Sequence, residues 1–189
     1  MTIEEYQYTH APTEQILTEI GRIMVESADL EGVIKIALWQ TTNMPLAFGQ
    51  ILTERSNLGQ LVRLLEMAIP AAFPDEKDQT AFKPIMDELK GVAQVRNFIA
   101  HAYWRHGIKP NVPVSVSHKY EKTDFILRER RWRADELYRI AARIGRVMEE
   151  LIWFLETRGV SPPPLQRRSS KRYQLPPEPK WPTRKGRVR

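Results

Sequence analysis

The chain has 189 residues, 42% of them hydrophobic, enough to bury one core, with nothing in the sequence pointing to a second domain. It has no cysteine, which excludes disulfides, thiolate metal sites and cysteine nucleophiles, while His, Asp and Glu remain as metal donors. The formal net charge of +6 is unevenly held: residues 161–189 carry nine Lys/Arg against the single acid Glu178, a net +8, which leaves residues 1–160 at −2.

The opening MTIEEYQYTHAPTEQ is polar and acidic, without the basic and apolar regions of a signal peptide, and no apolar run reaches membrane-spanning length. The expectation is a cytoplasmic protein that does not enter a membrane. Residues 1–12 read as an N-terminal arm, 13–160 as one helical domain, and 161–189 as a basic, Pro-rich disordered tail.

From Thr13, the residues Ile16, Ile20, Ile23, Leu30, Ile34 and Leu38 recur at three-, four- and seven-residue steps, which predicts a long amphipathic helix to about Trp39. Within it Gly21 and Gly32 weaken the interior, and Gly32 marks a bend or the close approach of another helix. Thr41 to Pro45 is a turn, and residues 46–55 form a short helix or a loop. A second clear helix follows, with Ser56 as N-cap and Leu58, Leu61, Leu65 and Ala68 on one face, stopping before Pro70. Residues 70–80 then connect to a third helix that starts near Phe82 to Pro84, has Gly91 as its weak point, and ends around Trp104 to Gly107.

The period changes after Pro110. Residues 112–117 and 125–128 are short β-branched or apolar runs on either side of 118–122, which predicts a small β-hairpin insertion over about 112–128, with Pro113 making its first strand an edge. Residues 134–157 give the cleanest helix, with Leu137, Ile140, Ala141, Ile144, Val147, Met148, Leu151 and Leu155 on one side, and Gly159 caps it. The fold class is therefore all-α: an up-and-down bundle of four to five helices with a small hairpin.

One short stretch concentrates chemistry. Residues 95–104 place an always-charged donor, Arg96, a titratable ring, His101, and a phenol, Tyr103, in an otherwise apolar segment. On a continuous helix Arg96 and Tyr103 share a face, whereas Arg96 and His101 point about 140° apart. One copy of the helix therefore does not aim both groups at one atom.

The run Arg96-Asn97-Phe98-Ile99-Ala100-His101 resembles the R-x4-6-H motif of the HEPN superfamily, helical-bundle proteins of prokaryotic toxin–antitoxin and antiviral defence systems. Asn directly after Arg is typical of it, and Tyr103 extends the match to the R-x4-H-x-Y form of HepT-type toxins that pair with a nucleotidyltransferase antitoxin. The resemblance implies a metal-independent endoribonuclease without a cofactor. On that resemblance it would cleave RNA by transesterification to a 2′,3′-cyclic phosphate, with Arg96 and His101 catalytic and Asn97 and Tyr103 orienting the site or binding substrate. It also implies a homodimer in which two copies of the motif line one cleft, with RNA and an antitoxin as partners.

Other readings of the same residues stand beside this one. The Arg-Asn-His cluster also suits a helix end that caps carbonyls and pairs with Glu149 or Glu150, in a non-catalytic HEPN-like module that binds RNA or protein. Arg128, Arg130, Arg131 and Arg133 around Trp132 suit phosphate contacts and base stacking, or equally a solvated, ion-paired surface. His101 and His106 have poor spacing for a metal and no third ligand. The tail, with Tyr173 and Trp181, suits nucleic acid, an acidic partner or plain solubility.

Overall fold

The computed structural model describes residues 12–106, 113–121 and 124–160. The expected arm up to residue 11 and the basic tail from 161 lie outside them. Five helices are described: α1 (Glu14–Thr41), α2 (Leu46–Thr53), α3 (Leu58–Ala72), α4 (Glu76–His101) and α5 (Ala134–Glu156). Strands β1 (Tyr103–His106), β2 (Pro113–Glu121) and β3 (Asp124–Arg131) lie between α4 and α5. The body is an all-α helical bundle, because the apolar stripes of the four long helices converge: Ile23, Leu30 and Ile34, Leu61 and Leu65, Leu89, and Leu137, Ile144 and Leu151 are fully buried. The helix α1 packs most extensively on α5. The α4–α5 direction is antiparallel, with Glu88 against Arg143 and Asp78 against Arg158, and so is α3–α4, with Glu66 against Lys90 and Gly59 beside Asn97.

Local chemistry moves several helix ends from their expected places. The N-cap of α3 is Asn57, not Ser56: its side chain accepts from the Gln60 N–H at 3.0 Å while Gln60 accepts from the Asn57 N–H at 2.9 Å. This reciprocal box needs Gln three residues on, which Ser56 lacks. The same helix runs through Pro70 to Ala72, the lost hydrogen bond and the ring's clash with the preceding turn being set against the burial of Leu65 and Ile69. The helix α4 begins at Glu76, capped by Asp75, with Glu76 and Asp78 favourably placed at its positive end. Pro84 therefore lies inside it, its cost offset by the burial of Phe82, Ile85, Met86 and Leu89. The last helix ends as expected: Gly159 adopts φ +75° while its N–H reaches the Glu156 carbonyl and that of Val160 the Leu155 carbonyl, both at 3.0 Å.

The decisive difference is at the other end of α4. The helix stops at His101, Ala102 is extended, and the indole N–H of Trp104 donates to the Ile99 carbonyl at 3.0 Å, satisfying one of the open carbonyls of the last turn. The chain then turns back as β1, which pairs antiparallel with β2 from Tyr103 opposite Val116 to His106 opposite Pro113. In turn β2 pairs with β3 out to Glu121 opposite Asp124, so residues expected in a turn at 118–121 are strand, and β2 is the central strand. Pro113 is tolerated there as the first residue of its strand.

Immediately after β3, Trp132 is 1% exposed, and the rings of Phe98 and Trp104 both lie 6.0 Å from it. This aromatic cluster fastens the end of the sheet to the C-terminal half of α4. The glycines fare differently from one another. Nothing lies within 4 Å of a Cβ built on Gly32, so no second helix approaches it. At Gly49 such an atom would sit 2.5 Å from the Trp39 ring, because α2 rests directly on that indole. Gly49→Ala gains under 1 kcal/mol of helix propensity, but it drives a methyl into the rigid root of the ring. It is expected to destabilise the fold by a net ~1–2 kcal/mol, read from the urea midpoint.

Gly91 has a similar purpose. A Cβ there would lie 2.9 Å from Arg143 Nη2, so the bare backbone lets that guanidinium cross α4 to Glu88, with Nη2 to Oε2 at 2.6 Å and Nε donating to Oε1. Those hydrogen bonds hold the Glu88 carboxyl below the ordinary glutamate range and raise Arg143. Because the folded-state value is the lower one, the pair's contribution is complete above the ordinary glutamate value and is lost as pH falls through the lowered value. With side chains 41% and 33% exposed, the contribution is at most about 1 kcal/mol. Glu88→Gln is accordingly expected to remove that much stability at pH 7 and progressively less as pH falls below the ordinary glutamate value, measured by urea midpoints in a pH series.

Candidate functional site

The motif occupies the last turns of α4. Arg96 and Asn97 are half-buried and His101, the final residue of the helix, is exposed. The helix is unbroken between them, so the divergence of about 140° applies. Asn97 faces the start of α3: its Nδ2 would lie 3.8 Å from a Cβ on Gly59. Its Oδ1 accepts from Arg96 Nη1 at 3.3 Å, so Asn97 steadies Arg96 rather than the His101 ring.

The acid beside Arg96 is Glu31 of α1, not Glu149 or Glu150 of the last helix. Arg96 Nη2 lies 3.6 Å from Glu31 Oε1, beyond hydrogen-bond length, and both side chains are about four-fifths buried, at 23% and 21% exposure. Arg96 Nε and Glu31 Oε1 are each buried without a hydrogen-bond partner. A sheltered guanidinium held this loosely is costly, since an unsatisfied buried polar atom forfeits roughly 1–3 kcal/mol. Its Nε and Nη2 form the edge that grips a carboxylate or phosphate in bidentate fashion. Glu31 was missed from sequence because an ion pair between helices is non-local. The available signal was an acid set between the buried positions Leu30 and Val33 on the edge of the apolar stripe.

Tyr103 lies outside the helix that carries Arg96. It belongs to β1, two residues past the end of α4, so helical spacing no longer relates it to Arg96, and its side chain lies outside the described residues. Trp104, by contrast, is partly buried against the core and caps the helix end.

The arginine run is divided. Arg130, Arg131 and Arg133 are exposed, while Arg128 pairs with Ser117 through the sheet and its side chain lies outside the described residues. Arg130 lies 3.9 Å above the Trp132 ring, and Arg133 pairs with Asp135 at 2.9 Å. Trp132 is buried and so presents no face to a base, which removes the stacking role considered for it.

A groove of about 410 Å³ lies elsewhere, between α3 and the first half of α4, lined by Glu66, Ile69, Phe82, Met86 and Lys90 among others; it includes neither Arg96 nor His101. Among the described residues no group of three His, Asp or Glu side chains is placed to hold a metal ion. No described helix is long and apolar enough to cross a membrane. No known protein family, curated protein or solved structure gives a significant match to the chain.

Proposed function

We propose that the chain is a metal-independent endoribonuclease of HEPN type, a cytoplasmic toxin or defence effector whose Arg96 and His101 act at a homodimer interface. The observation that carries this reading is the state of Arg96: a sheltered guanidinium whose Nε has no hydrogen-bond partner and whose Nη2 has only the long ion pair to Glu31, five residues from an exposed imidazole at the end of the same helix. The phosphodiester enters along that edge and loosens the contact with Glu31. The 2′-hydroxyl gives up its proton as its oxygen attacks phosphorus, the bond to the 5′-oxygen breaks, and that oxygen takes up a proton. The products are a 2′,3′-cyclic phosphate and a 5′-hydroxyl. His101 carries one of the two protons and its copy in the second chain the other, while Arg96 neutralises the phosphorane oxygens. Two copies are needed because Arg96 and His101 diverge on one helix. A nucleotidyltransferase antitoxin is the partner that the HepT-like form of the motif suggests.

The second reading is a non-catalytic HEPN-like module that binds RNA or protein, favoured by the contacts of Arg96 with Glu31 and Asn97, which tie α4 to α1. Incubating the full chain with single-stranded RNA in EDTA separates the two. Cleavage with cyclic-phosphate ends supports the nuclease, and its absence at any enzyme concentration leaves the binding module.

A further inference from the structure

The helix α2 is built inside out. It buries Gly49 and Thr53 against the bundle, yet Leu46, Phe48, Ile51 and Leu52 are 63%, 54%, 71% and 54% exposed. Phe48, Ile51 and Leu52 stand at i, i+3 and i+4, so they form one outward stripe. The other large exposed apolar residues among those described are spread over three helices: Leu17 and Val25, Leu64 and Met67, and Tyr138 and Trp153. Concentrated on eight residues, the α2 stripe is the kind of apolar patch that marks a contact surface.

We propose that this face is covered by the same face of a second copy of the chain, packed across a two-fold axis. This rests in part on the reading that the Arg96/His101 site is shared between two chains. The first argument is area. The four side chains leave roughly 400 Å² of apolar surface open per chain, a fitting apolar centre for a standard interface of about 800 Å² per partner. The second is charge. A two-fold contact sets each residue against the copy of its own neighbourhood, so like charges at its centre repel; α2 has none, and its exposed rim carries Glu54 beside Arg55, which cross-pair in an antiparallel arrangement. The third is position. Gly59, which abuts Asn97, lies six positions after Thr53, so α2 ends at most roughly 20 Å from the Arg96 motif. A lipid surface fits less well, since α2 is short and carries no basic residue.

The test is sedimentation of the full chain from nanomolar to high micromolar concentration. The wild type is expected to be a dimer, and Phe48→Glu/Ile51→Glu to weaken it at least 100-fold with an unchanged circular-dichroism melt. Should the double variant misfold, the single variants decide: Ile51→Glu and Ile51→Lys are each monomeric alone and form a heterodimer when mixed. A wild type that is monomeric throughout overturns the proposal and assigns the face to another protein or to residues 161–189. A folded double variant that dimerises like the wild type, or a mixture that stays monomeric, overturns it too. RNA cleavage is read in parallel: a dimer without cleavage leaves the α2 contact standing and sinks the nuclease, whereas cleavage by a monomer sinks both the α2 contact and the two-chain site.

Discussion

His101→Ala is expected to reduce RNA cleavage in EDTA by roughly 10²–10⁴-fold, the usual worth of a positioned proton-transfer group. The side chain is exposed at the last residue of α4 and among the described contacts makes none that the fold depends on. Its removal should shift stability by no more than about 0.5 kcal/mol. Activity and stability are thereby separated at this position, which a structural role for the motif does not allow. Arg96→Ala is the weaker control, because it also strips Glu31 of its cation and leaves a largely buried carboxylate alone. Arg96→Lys keeps that charge but loses the bidentate edge, so it should retain the fold and lose most of the activity. Full cleavage by folded His101→Ala and Arg96→Lys chains would remove both residues from the mechanism.

Trp132→Ala carries the largest expected cost to stability, about 3–5 kcal/mol, the range for emptying a large aromatic site in a core. Its ring is 1% exposed, meets Phe98 and Trp104, and has the Arg130 guanidinium over its face. The loss should not be uniform. Phe98 and Trp104 flank His101 in sequence, and the Trp104 indole closes the end of α4, so the last turn of that helix loosens together with the sheet. Hydrogen exchange should show faster amide exchange in residues 97–106 than in the buried middle of α5. Uniform exchange, or a cost under 1 kcal/mol, would show that the cluster does not fasten the sheet to the bundle.

How much of this was legible in the chain follows from the range of each interaction. Apolar spacing located α1, α3 and α5 and the middle of α4, because periodicity is a property of one helix and is written along it. The caps at Asn57 and Asp75 were also local, but they were hidden by rival signals: Ser56 beside one, and Pro84, which resembles a helix start, beyond the other. The end of α4 was not local at all. Residues 103–106 continue a helical pattern in sequence and become strand only because β2 offers their backbone partners and Trp104 folds back on Ile99.

The candidate site divides in the same way. That Arg96, Asn97 and His101 lie together near the end of one helix, and that the first and last of these diverge, could be read from the chain, since rise and turn per residue are fixed by the backbone. Packing, not spacing, makes Tyr103 leave that helix, sets Glu31 rather than Glu149 or Glu150 beside Arg96, buries Trp132 in the core, and turns the apolar side of α2 outward. Each of these depends on which surfaces meet after the chain collapses, and residues 65 positions apart, as Glu31 and Arg96 are, record no trace of one another in local spacing.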